Sequence, residues 1–140
     1  MSWKTTIQIN SEFTLNNGFA IIETEEKGMF KSCRLKYGVI LELHYYYERG
    51  PVFADLIYDQ KHFNLIHFAN YENSKQSIYK FPDFYWKNGT DSDGEYIKYF
   101  DSILENELDN ILDCLFKMDE QKWVDFEQYY QSENLKLTGL

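Results

Sequence analysis

A chain of 140 residues has the length of one domain, and at that size it can bury about two thirds of the surface it exposes when unfolded. Hydrophobic residues make up 44% of it and the aromatics number 12 Tyr, 11 Phe and 3 Trp, a composition that excludes intrinsic disorder. The formal net charge of -9 falls entirely in the last third: residues 1–90 hold ten acidic and ten basic side chains, residues 91–140 thirteen acidic side chains against four lysines.

A field of that sign disfavours direct contact with nucleic acid or an anionic membrane surface, and it attracts a basic protein partner. No apolar run reaches the roughly 18 residues of a membrane span, and MSWKTTIQIN lacks the basic region and apolar stretch of a secretory signal, so a cytoplasmic location is expected. Cys33 and Cys114 each sit on an apolar pattern far apart in sequence, which predicts buried thiols rather than a disulfide or a metal pair. No cofactor is implied.

In chain order, KTTIQI (residues 4–9) and FAIIET (19–24) read as strands separated by the turn residues Asn16-Asn17-Gly18. Residues 33–47 alternate with period two: Cys33, Leu35, Tyr37, Val39, Leu41, Leu43, Tyr45 and Tyr47 share one parity, and Arg34, Lys36, Glu42 and His44 the other. Gly38 marks either a bulge or bend in this run or a turn that divides it. After the break at Glu48-Arg49-Gly50-Pro51, Val52, Ala54, Leu56 and Tyr58 alternate again, so an antiparallel hairpin is expected. HFNLIHFA (62–69) is expected to be a strand, YENSKQS a loop, IYKF (78–81) one more short strand, and FPDFYWKNGTDSDG an aromatic connection.

From Asp93 the period becomes helical. Ile97, Phe100, Ile103, Leu104, Leu108, Ile111, Leu112 and Leu115 form an apolar stripe, with Ser92 and Glu95 in the form of a capping box. Asp119 can cap a second, shorter helix bearing Trp123, Phe126 and Tyr130. Strands first and helices last predict one α+β domain over 1–140, with 1–81 mainly strands forming an antiparallel, meander-like sheet and 92–131 supplying one long and one short helix.

Chemistry-bearing patterns are sparse. Aligning Gly94 with the glycine of a calcium loop puts Gly89 and Phe100 where carboxylates are required, so Asp91-Ser92-Asp93-Gly94-Glu95 is expected to cap a helix and hold no metal. His62 and His67 are five apart, on neither a helix face nor one strand face, and His44 lies among Glu42, Tyr46 and Glu48 on the polar parity of the long strand. No nucleophile elbow, phosphate loop or activated cysteine occurs, so no catalytic residue is expected.

Two features remain. Asp101, Glu105, Asp109 and Asp113 stack four apart on the long helix without an interleaved lysine, although like-sign pairs at that spacing cost a few tenths of a kcal/mol each. Tyr46 on the polar parity of the strand, with Tyr85 and Trp86 in the aromatic connection, supplies candidate interface anchors beside them. These seven residues are the expected partner-binding set: charge for approach, aromatics for retention.

A small acidic α+β domain rich in Tyr, Phe, Asn and Lys, without an active-site signature, resembles in general type the immunity proteins of bacterial polymorphic and contact-dependent toxin systems. The resemblance implies a cytoplasmic inhibitor that binds a cognate toxin domain, such as a basic nuclease, as a monomer or small homo-oligomer. Two alternatives predict different structures. A hydrolase-like or ligand-binding enzyme would gather His44, Tyr46, Glu42 and Asp55 around a cleft, and an oligomerising subunit would bury a large symmetric interface.

Overall fold

A computed structural model of the chain describes residues 2–48, 51–82 and 92–137. Five strands form one antiparallel sheet in sequential order: β1 (Phe19–Lys27), β2 (Phe30–Tyr37), β3 (Leu41–Glu48), β4 (Val52–Tyr58) and β5 (Lys61–Asn64). Among the described residues two helices precede it, α1 (Trp3–Asn10) and α2 (Glu12–Asn16), and three follow, α3 (Leu65–Glu72), α4 (Asp93–Phe116) and α5 (Glu120–Leu137). The fold is α+β, a meander followed by C-terminal helices.

The long alternation from 33 to 47 is two strands. The chain turns at Gly38, whose φ of 55° suits a residue without Cβ, and the three-residue loop pairs Leu35 with Leu43 and Cys33 with Tyr45. Because the odd-numbered residues stay opposite one another, the period-two pattern crosses the turn unbroken. At β1, the pairing steps from Ile21–Leu35 to Glu23–Arg34, which leaves Ile22 as the extra, exposed residue of a bulge.

Three expected strands are corrected. Residues 4–9 are helical: the Ser2 hydroxyl accepts from the Thr5 amide at 3.1 Å, and Trp3 and Ile7, one turn apart, are the buried residues of the face that meets the core. Strand β5 stops at Asn64, whose side chain accepts from the His67 amide at 3.1 Å and starts α3, so 62–69 is part strand and part helix. Residues 78–81 form no strand. They are held instead through Tyr79, whose backbone N–H donates to Asn70 Oδ1 and whose carbonyl accepts from Asn70 Nδ2.

One sheet face carries Cys33, Leu35, Leu43, Tyr45, Ala54 and Leu56, all fully buried, and helix α4 packs on it with Phe100 stacked 5.9 Å from Tyr45. Trp3 closes the same layer, its indole N–H donating to the Ser32 carbonyl at 2.8 Å. Helix α5 packs on α3, where Phe126 meets Phe68 at 5.3 Å and Tyr71 at 5.2 Å. Asp119 caps α5, its carboxylate accepting from the Lys122 amide at 2.8 Å. Ser92 makes no side-chain cap bond to α4; its carbonyl accepts from the Glu95 and Tyr96 amides, so the expected capping box does not form. Cys33 and Cys114 are free thiols, the first buried and the second half-buried.

Candidate functional site

The four stacked carboxylates of α4 separate into different roles. Asp101 lies at the border of the apolar stripe and is 9% exposed. Its Oδ1 accepts from the Thr14 amide at 2.8 Å and the Thr14 hydroxyl at 2.6 Å, and its Oδ2 from the Phe13 amide at 3.1 Å. These amides belong to the first turn of α2, which Ser11 does not cap with its side chain, so Asp101 is the N-terminal anion of that helix and both of its oxygens are engaged within the chain. Asp113 is exposed but bonds Lys117 one turn on at 3.0 Å. Glu105 and Asp109 are exposed and belong to none of the ion pairs among the described residues. Of the anchors expected beside them, Tyr85 and Trp86 lie outside the described residues.

Tyr46 is on the other side of the sheet. Its neighbour Tyr45 packs on α4, so Tyr46 projects from the open face, and it cannot join the α4 carboxylates in one contiguous patch. There it stacks 5.5 Å from Phe53 and lies tilted 5.3 Å from His44. Tyr46 and Phe53, with Asp55, His62, His67 and Tyr130, line a cleft of about 420 Å³ between the open face, the start of α3 and the side of α5, and His44 and Glu42 are not among its lining residues. That volume is within the range of small-ligand sites, about 300–1,000 Å³.

The cleft exists because five elements end or pass there. Asp55 on β4 pairs with Asn64, the last residue of β5, and α3 then carries His67 to within 4.9 Å of the Tyr130 ring and 5.1 Å of Phe81. Burial raises the Asp55 carboxyl above the ordinary range, against a hydrogen bond from Tyr46 and the nearby charge of His62. The Tyr46 phenol is pushed up to about 12, by burial first and then by Asp55. Burial lowers His67, against Glu133 and a hydrogen bond with Asn134, and lowers His44, assisted by the adjacent Arg34.

Sequence reasoning placed His62 and His67 apart because it carried one strand through both. The signal that brings them together is Asn64, a preferred helix N-cap standing between them. A second cluster also went unforeseen. Glu72 at the end of α3 and Glu107 of α4 are joined through Asn73, whose Nδ2 donates to both carboxyls, at 2.8 and 3.1 Å, while Tyr79 Oη donates to Glu107 at 2.8 Å. Burial and the Glu107 charge raise Glu72 to about 8; against its own burial, hydrogen bonds from Glu72, Tyr79 and Asn73 hold Glu107 below its usual value. Opposite shifts of this kind belong to two neighbouring carboxyls that favour one proton between them.

Among the described residues no group of three or more His, Cys, Asp or Glu side chains is arranged to hold a metal ion, and no helix is long and apolar enough to cross a membrane. Comparison with protein-family models, with curated proteins and with solved structures finds no match for this chain.

Proposed function

We propose that the protein is a non-catalytic, cytoplasmic binding module for a basic protein partner, an inhibitor of the immunity type that neutralises a cognate toxin domain. The supporting observation is the α4 surface at Glu105 and Asp109: two exposed carboxylates one turn apart, outside every ion pair among the described residues, in the segment that holds the whole excess charge. Their role is to speed and orient encounter, since a charged surface of this kind raises association rates by about ten to a thousandfold at low salt. Copurification from the native host identifies the partner. Replacing Glu105 with Gln and Asp109 with Asn together should then slow association several-fold at low salt and flatten its salt dependence; an unchanged rate would remove α4 from the interface.

A second reading, a small hydrolase, draws on the convergence of Tyr46, Asp55, His62 and His67 in one cleft. A half-buried carboxyl of raised pKa and an imidazole of lowered pKa are the kind of groups that acid–base chemistry uses. Turnover of model esters that vanishes in Asp55→Asn would select this reading over the first.

A further inference from the structure

At two other places among the described residues a carboxylate, an aromatic ring and an ammonium group of the chain itself come together. Lys31 Nζ bonds Asp93 at 3.0 Å and lies over the rings of Tyr47 and Trp3, at 5.2 and 5.8 Å from their centroids. Lys75 Nζ bonds Asp125 at 3.0 Å and lies 5.9 Å from the Tyr71 ring, while Tyr71 Oη donates to the same carboxylate at 3.0 Å. The combination is favourable because the carboxylate provides charge and the ring face, negative at its centre, adds to it.

The open-face cleft repeats the second arrangement without the lysine. Tyr46 and Asp55 line it together as Tyr71 and Asp125 stand together there, and Phe53 extends the ring surface. Among the described residues Asp55 is in no ion pair, and the groups that act on it are Tyr46 and His62. The neighbouring cations are committed elsewhere: Arg34 bonds both Glu23 and Glu42, and Lys61 lies over Trp123 at 5.3 Å. A carboxylate partly withdrawn from water among aromatic rings, with His62 near it but in no ion pair among the described residues, is costly unless a ligand completes it.

We infer that this cleft is a binding site for an organic cation, a guanidinium or alkylammonium group, held by the Asp55 carboxylate and by the ring faces of Tyr46, Phe53 and Tyr130. The group can belong to a free small molecule or to an arginine or lysine side chain of another protein, and the recognition chemistry is the same. The site lies on the opposite side of the sheet from the exposed carboxylates of α4, so it stands whether or not those meet a partner.

The test uses the full chain, isotopically labelled, titrated near neutral pH and followed by amide chemical shifts. The probes are butylguanidinium, N-acetyl-arginine N-methylamide, and the citrulline counterpart of the latter, which keeps the shape and loses the charge. Either cation should shift the amides of Tyr46, Asp55 and Asn64 and bind about tenfold or more tightly than the citrulline compound. Tighter binding of the capped arginine points to a protein side chain as the source, and tighter binding of butylguanidinium to a free small cation. Asp55→Asn should abolish the preference for charge, and Tyr46→Leu should weaken the cation several-fold with a spectrum that otherwise reports a folded sheet. Changing Glu105 and Asp109 should leave probe binding untouched, which separates this site from the proposed α4 surface. Equal binding of the arginine and citrulline probes, or an unaltered preference in Asp55→Asn, overturns the inference.

Discussion

Thr14 and Asp101 are 87 residues apart in the chain and joined twice, amide and hydroxyl to one carboxylate oxygen, at 2.8 and 2.6 Å. With the Phe13 amide on the other oxygen, this carboxylate ties the five-residue helix α2 to the middle of α4. Removing it leaves the amides of that first turn without their acceptor, while an exposed carboxylate one turn away has no such dependents. Asp101→Ala is therefore expected to lower the unfolding free energy by about 3 kcal/mol, and Glu105→Gln to change it by less than about 0.5 kcal/mol. Urea midpoints at constant m-value decide it; equal effects at the two positions would return Asp101 to the surface set.

The Asp59-Gln60 turn between β4 and β5 places two L residues at φ 49° and 66°, the left-handed region that two-residue hairpins require and that glycine occupies at least cost. An L residue there is disfavoured by about 1–2 kcal/mol, from which the greater unfolded-state entropy of glycine must be subtracted. Gln60→Gly is expected to stabilise the protein by about 0.5–1 kcal/mol, a rise of a few degrees in Tm. Gly38→Ala is the counterpart: the added methyl meets nothing within 4 Å, so the φ of 55° alone acts and the sign reverses. Calorimetry of both variants checks the pair, and a loss of stability in Gln60→Gly would contradict the turn geometry.

What the sequence disclosed and what it hid divide along one physical line. Period-two alternation at residues 33–47 and 52–58 and the helical stripe from Ile97 to Leu115 are consequences of one buried face, so β2, β3, β4 and α4 were legible. KTTIQI was not, because its β-branched residues alternate as a strand would, and only the Ser2 cap with Trp3 and Ile7 one turn apart separates it from one. The site was less legible still. Nothing local distinguishes Asp101 from Glu105, since the difference is a helix end 87 residues away, and Asp55, His67 and Tyr130 meet only because β5 breaks at Asn64.

The Glu72–Glu107 pair gives stability a pH dependence of defined sign. Burial and the neighbouring Glu107 raise Glu72 from the usual 4.5 to about 8, so between these values the native state holds more protons than the unfolded chain. Its contribution is complete below the unfolded value and is lost as pH rises through about 8, when two facing carboxylates become charged. Glu107, held low, acts oppositely and only at the acid end. Urea midpoints should therefore fall from pH 6 to pH 9, and Glu72→Gln, neutral throughout, should remove most of the decline. A wild-type profile as flat as that of the variant would show that the shared proton is absent.

Helix α5 is attached to the body chiefly through one aromatic group. Phe126, 3% exposed, meets Phe63, Phe68, Tyr71 and Trp123 at centroid distances of 5.9, 5.3, 5.2 and 6.1 Å. The polar ties from Tyr71 and Lys75 to Asp125 are surface bonds of small net value. Phe126→Ala removes the central ring, at a cost of about 3–5 kcal/mol when the site does not collapse. Because α5 approaches α3 and stands apart from the α1–α2–α4 layer, the loss should fall on α5 first. Hydrogen exchange resolved by segment is expected to show α5 amides exchanging markedly faster in the variant while β2, β3 and α4 keep their protection. The cleft, which uses Tyr130 of α5 as a wall, should then lose its preference for a cationic probe without unfolding of the sheet. Uniform acceleration across α5 and the sheet would mean that the aromatic cluster belongs to the same cooperative unit as the main core.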